Sequence, residues 1–156
     1  MTNSIVRILN IIIHELIMFE RYTNSNAIGL LFSASYCKWC RQFVPILQDI
    51  YPELQNVSIE ILLVGSDERK EMFETYRNQW QWPSTDFDDN QMSSLRDIYD
   101  VSTIPALIFV DKNGNILDGS GRNTIEQLIR TYDPEEVAHQ LANRLSDAIY
   151  NSDDSE

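Results

Sequence analysis

Ile28-Gly29-Leu30-Leu31-Phe32-Ser33-Ala34 runs into Ser35-Tyr36-Cys37-Lys38-Trp39-Cys40-Arg41, and a helix-like stretch from Arg41 to Tyr51 follows. A short apolar run ending in a polar turn reads as a buried strand. The order strand, cysteine pair, helix places both thiols at the start of a helix. Free backbone N–H groups and the positive end of the helix dipole favour a thiolate there. A thiolate is the attacking species in disulfide exchange, and a second thiol three residues on can resolve the mixed disulfide. Cys37 and Cys40 therefore read as a dithiol redox site, with Cys37 and Cys40 as the residues that carry the chemistry.

These are the chain's only cysteines. A bridge between them closes a tiny loop and constrains little of the unfolded chain, so a structural disulfide explains them poorly. A reducing compartment suits them better. Zinc usually takes four ligands, and the two histidines, His14 and His139, have no finger spacing to the cysteines, so no metal is expected. No glycine-rich phosphate turn is present, so no bound flavin or nicotinamide is expected, and an external dithiol or protein reductant must reset the pair.

The 156 residues suffice for one domain, read as residues 1–150, with 151–156 as an acidic, disordered tail. A formal charge of −12 disfavours nucleic acid and anionic membranes as partners. The apolar stretch Ile5 to Phe19 is interrupted by Asn10, His14 and Glu15, which argues against a secretory signal and a membrane span and for a cytoplasmic setting. Its stripe Ile5, Ile8, Leu9, Ile12, Ile13, Leu16 predicts a helix over about 3–20, with a strand through Ile8 to Ile13 as the alternative.

Further along, the pattern predicts strands at 28–34, 58–65, 105–111 and 115–119 and helices at 38–55, 67–80, 93–99 and 134–150. Residues 81–92 read as a loop, and 121–132 are ambiguous. Ser66 or Asp67 is the expected N-cap of the helix from 67. Asp111-Lys112-Asn113-Gly114 predicts a hairpin turn, and Asp133-Pro134-Glu135-Glu136 opens the last helix. Strand–helix–strand in the first half implies a parallel pair with a right-handed crossover, and the hairpin adds antiparallel strands. The fold class is α/β: three layers, α/β/α, around a mixed sheet.

Two prolines bear on the site. Pro45 falls inside the helix after Cys40 and is expected to kink it. Pro105 opens the strand after Val101-Ser102-Thr103-Ile104, where an X-Pro bond is a candidate cis peptide. A cis bond there would leave the backbone groups of Ile104 free to pair with an extended substrate.

The string from Phe32 to Pro45, with Val64-Gly65-Ser66-Asp67, Ile104-Pro105-Ala106-Leu107 and Asp111-Lys112-Asn113-Gly114, resembles thioredoxin-fold proteins. It is most similar to their tryparedoxin and nucleoredoxin branch, over roughly residues 28–122. The resemblance implies that Cys37 is an exposed nucleophile, Cys40 the resolving thiol and Pro105 a cis-proline facing them. It implies reduction or exchange of disulfides in client proteins, among them peroxiredoxins, with a low-molecular-weight dithiol or a reductase as electron donor. Trp82 falls where the branch has a tryptophan.

Departures accompany the likeness. Lys38-Trp39 replaces Pro-Pro between the cysteines, and Tyr36 replaces a tryptophan. Leu31 stands where ordinary thioredoxins carry a buried aspartate, which leaves Cys40 without an evident proton acceptor; Asp67 and Glu68 are the nearby candidates. Lys38 favours a thiolate by attraction, and Trp39 offers an apolar face to partners. Tyr36, Lys38, Trp39, Ile104, Pro105 and Trp82 are thus the expected site-shaping residues. The alternative to a turnover enzyme is a binding protein on the same scaffold, its cysteine pair serving as a redox-sensitive contact.

Overall fold

Two seven-residue runs, Ala27–Ser33 (β1) and Ile59–Gly65 (β2), are buried at every position. Strands covered on both faces read as continuous apolar runs and pair in parallel through a crossover. A computed structural model, which describes residues 24–154, shows this pairing: Leu30 lies opposite Leu62 and Ser33 opposite Gly65. The helix expected over 3–20 lies outside the described residues. The crossover is α1 (Lys38–Asn56). It is followed after β2 by α2 (Lys70–Arg77), α3 (Asp89–Ile98), β3 (Ala106–Val110), β4 (Ile116–Asp118), α4 (Gly121–Leu128) and α5 (Pro134–Asp154).

β3 runs antiparallel to β1, with Phe32 opposite Ala106, and β4 antiparallel to β3. The sheet order is β2-β1-β3-β4, a mixed sheet as expected. The turn between β3 and β4 closes on Asp111, whose Oδ1 accepts the N–H groups of Asn113 and Asn115 at 2.8 and 2.9 Å. Gly114 supplies the positive φ of 82° that this turn needs. The free edge of β2 is covered by residues 83–85: Leu63 N–H donates to the Pro83 carbonyl, and Thr85 N–H to the Leu63 carbonyl, both at 2.9 Å.

Alternation divides the core in two. Ala27, Leu31, Ile61, Leu63, Leu107 and Phe109 meet Phe43, Leu47 and Leu54 of α1 and Leu141 and Leu145 of α5. On the other face Leu30, Phe32, Val64 and Ile108 meet Phe73 of α2 and Leu95 of α3. Each of the larger aliphatic and phenylalanine side chains among them contributes about 1.5–3 kcal/mol by leaving water. The three α/β/α layers follow.

Several boundaries move. The helix expected over 67–80 is the shorter α2, and Arg69, not Ser66 or Asp67, precedes its first residue. α3 begins inside the segment read as a loop, because Asp88 caps it: its Oδ1 accepts from the Asn90 and Gln91 N–H groups at 3.0 Å each. Residues 121–128 of the ambiguous stretch are helical, α4, with Thr124 Oγ1 donating to Asp118 Oδ2 at 2.6 Å across its first turn. α5 continues through Asp154, so residues 151–154 of the acidic tail, expected to be disordered, extend this helix. α1 runs through both Pro45 and Pro52 without interruption, although each proline removes a donor from its ladder.

Candidate active site

β1 ends at Ser33, and the chain turns before α1 starts at Lys38. Cys37 is the N-cap, extended at φ −83° and ψ 118°, and its sulfur accepts the Cys40 N–H at 3.2 Å. The sulfur thus takes the place of the oxygen that a serine or aspartate cap would offer to an unpaired N–H of the first turn. Across from it, the Ile104 carbonyl oxygen lies 3.7 Å from Cys37 Sγ. The Ile104–Pro105 peptide is cis, and β3 begins at the next residue. The fold therefore brings the Cys37–Cys40 segment and the Ile104–Pro105 segment together from two distant parts of the chain.

Both thiols are free. Cys37 is only 9% exposed and Cys40 is fully buried. Cys37 is thus not the exposed residue that the resemblance implies, because the N-cap geometry turns its sulfur toward the Cys40 N–H and the Ile104 carbonyl. Burial pushes the Cys40 thiol up from its ordinary value of 9.0 to about 11, and a hydrogen bond with Cys37 adds to the rise. The polar Ser33 side chain and Ala34 backbone pull in the opposite direction.

The rim is aromatic. Tyr36 and Trp39 are 63% and 56% exposed, and Lys38 Nζ rides 5.7 Å from the Trp39 ring centre. Tyr36 Oη donates to the Ser66 carbonyl at 3.5 Å. Partial desolvation, then the negative charges of Asp67 and Glu68, raise the Tyr36 pKa. Beside it opens a pocket of about 250 Å³ lined by Ser35, Tyr36, Asp67, Glu68, Arg69 and Met72.

Asp67 has a role that sequence reasoning missed. Its buried carboxylate accepts the Ser35 N–H at 3.2 and 3.3 Å and the Ser35 hydroxyl at 2.5 Å. It clamps the turn that leads to Cys37, which is why it does not cap α2. The signal was the register: Ser33 opposite Gly65 sets Ser35 beside Asp67, two residues past the paired strand ends.

Trp82 lies in the core and not on the rim. It meets Tyr51 edge-on at 5.4 Å and stacks on Trp80 at 5.6 Å. Its link to the cysteines is indirect. Trp80 meets Tyr76 edge-on at 5.8 Å, and the Tyr76 hydroxyl lies 2.6 Å from Ser33 Oγ, a group that acts on the Cys40 thiol.

A family model described as thioredoxin-like matches residues 24–116. The chain belongs to the thioredoxin-like family. Among curated proteins, it is 36% identical over 100 residues to a probable nucleoredoxin 1 of Arabidopsis thaliana, which covers 63% of this chain and 17% of that protein. It is 30% identical over 98 residues to nucleoredoxin of Homo sapiens, covering 61% and 22%. The chain therefore spans about a fifth of the length of these two relatives. Among solved structures, tryparedoxin from Trypanosoma brucei superposes with a TM-score of 0.63 at 29% identity, covering 70% of this chain and 75% of that one. This thioredoxin-like chain thus carries its Cys37–Cys40 pair on a fold shared with nucleoredoxins and tryparedoxins. Among the described residues, no helix is long and apolar enough to cross a membrane.

Proposed function

We propose that the chain is a thiol–disulfide oxidoreductase that reduces or exchanges disulfides in client proteins through Cys37 and Cys40. The carrying observation is the Cys37 sulfur held at a helix N-terminus by the Cys40 N–H, with the Ile104 carbonyl 3.7 Å across from it. A helix N-terminus favours an anion, and a thiolate is the nucleophile that exchange requires. Cys37 attacks one sulfur of a client disulfide, the client S–S bond breaks, and the departing client sulfur takes up a proton. Cys40 then attacks the Cys37 sulfur of the mixed disulfide, and the second client thiol leaves. Two electrons pass to the client, and a Cys37–Cys40 disulfide remains. An external dithiol or reductase returns the pair to its reduced form. The backbone of Ile104, next to cis-Pro105, offers an edge on which an extended client segment can lie. Trp39 and Tyr36 supply the apolar rim for that contact. The reading extends to peroxiredoxins as a client class, to a low-molecular-weight dithiol as donor and to a cytoplasmic setting.

The test is insulin reduction with dithiol recycling. Wild-type protein turns over, Cys37→Ser does not, and Cys40→Ser stops at a covalent mixed disulfide. Activity surviving in both variants rules the scheme out. One observation favours a second reading: at 9% exposure, Cys37 is largely covered. A binding protein with a redox-sensitive contact would hold a partner stably in the absence of Cys40 and turn over poorly.

A further inference from the structure

Resolution of the mixed disulfide requires that Cys40 lose its proton inside the core. Cys40 is fully buried, and the groups acting on it are Cys37, the Ser33 side chain and the Ala34 backbone, none of them a carboxylate. Leu31, likewise fully buried, shares that core. The Asp67 carboxylate is occupied by the Ser35 N–H and hydroxyl. Among the described residues, a buried pair of hydroxyls stands in line with Ser33's effect on the thiol: Ser33 at the end of β1 and Tyr76 on α2, 2.6 Å apart. Ser33 is fully buried and Tyr76 nearly so, and Trp80 closes against the Tyr76 ring.

We propose that Ser33 and Tyr76 form a hydroxyl relay that stabilises the Cys40 thiolate during the resolving step, taking the place of a buried acid. Tyr76, pushed up to about 12 chiefly by burial, keeps its proton at neutral pH and so has a hydrogen to donate. Its Oη–H donates to Ser33 Oγ, and Ser33 in turn donates to the Cys40 sulfur as negative charge grows there. A hydrogen bond to a charged partner is roughly twice as strong as a neutral one, and a polarised chain strengthens it further. The step balances: Cys40 sulfur bonds to Cys37 sulfur, the Cys37–client bond breaks, and the proton lost by Cys40 ends on the departing client sulfur. In this scheme Ser33 acts on the reacting thiol itself and is a catalytic residue. Tyr76 acts through Ser33 and is a positioning residue. Neither touches Cys37 in this scheme, so the first attack does not depend on them.

The inference rests on the oxidoreductase reading, and the experiment separates the two. Reduced protein is mixed with the aromatic disulfide dithiobis(nitrobenzoate), and release of the coloured thiolate is followed in a single turnover. The attack by Cys37 releases one thiolate, and resolution by Cys40 releases the second. With Ser33→Ala the second release is expected to slow by about tenfold or more, and with the nearly isosteric Tyr76→Phe by about threefold to tenfold, while the first release is unchanged. A second release unchanged in both variants overturns the relay. Equal slowing of both releases also overturns it, because that pattern marks general disruption. Absence of any second release from wild-type protein defeats the oxidoreductase reading itself.

Discussion

The outer and inner walls of the cysteine site are built from opposite materials, although their sulfurs belong to residues three apart. The outer wall has an open aromatic rim, with Tyr36 and Trp39 largely in solvent and a cationic Lys38, around a largely covered Cys37 that the Ile104 carbonyl faces. The inner wall is closed: Cys40, Ser33 and Tyr76 lie in the core, and burial dominates the behaviour of the thiol and the phenol. One turn of helix explains the division. Cys37 is the cap, outside the ladder, and Cys40 is in the first turn on the face that α1 turns toward the sheet. Identical side chains thus acquire different environments, which suits the proposed division into nucleophile and resolving thiol.

The contrast is most easily broken by alkylation. A rise from 9.0 to about 11 leaves roughly a hundredfold less Cys40 thiolate at neutral pH than in the unfolded chain. Iodoacetamide labelling, mapped by mass spectrometry, should therefore modify Cys40 about a hundredfold more slowly in native protein than in urea. Equal rates would abolish the distinction between the walls.

The clamp between them comes next. Asp67→Ala leaves the Ser35 N–H without its partner and should cost about 1–3 kcal/mol in urea denaturation. It should slow the first exchange step more than the second, because Ser35 leads directly to Cys37.

The inner wall also predicts a pH effect on stability. Cys40, Tyr76 and Tyr99 all have folded values above their ordinary ones, at about 11, 12 and 12. Above pH 9 the unfolded chain sheds these protons first, so it binds fewer of them than the native state does, and the stability of the reduced protein falls as pH rises. The loss should begin near 9 for Cys40 and near 10 for the tyrosines and continue to about 11 and 12. Oxidation removes the thiol's share, so urea midpoints of the oxidised form should fall less steeply over the same range. The smallest effect on stability belongs to the outer wall: Trp39→Ala should change it by no more than about 0.5 kcal/mol. It should nevertheless raise KM for protein clients while leaving the reaction with a small aromatic disulfide unaltered.

Local pattern made much of this legible. The apolar runs of β1 and β2, the Asp111 turn and the cap at Asp133 all declare themselves within a few residues, because each rests on neighbours in sequence. Asp133 does accept the Glu136 N–H, at 2.9 Å. Where a side chain had two possible uses, the local reading chose the nearer one. Asp67 looked like a helix cap because it precedes a helical stretch, yet Ser35, thirty-two residues away, holds it. Asp88 went unread as a cap among several acids in a polar stretch, and only its bonds to Asn90 and Gln91 single it out. Trp82 was placed by family position, and its surroundings of Tyr51 and Trp80 put it in the core.

The spacing of the two cysteines, the strand before them and the helix after them were settled by sequence alone, since helix geometry makes one residue a cap and the other part of the first turn. The neighbours of Cys40 were decided only in three dimensions. Ser33 and Tyr76 stand forty-three residues apart in the chain, and it takes the docking of α2 on a sheet in which β1 and β2 are paired to bring their hydroxyls within 2.6 Å. A hydrogen bond depends on distance and direction between atoms, and for groups so far apart in sequence both exist only after the layers have packed.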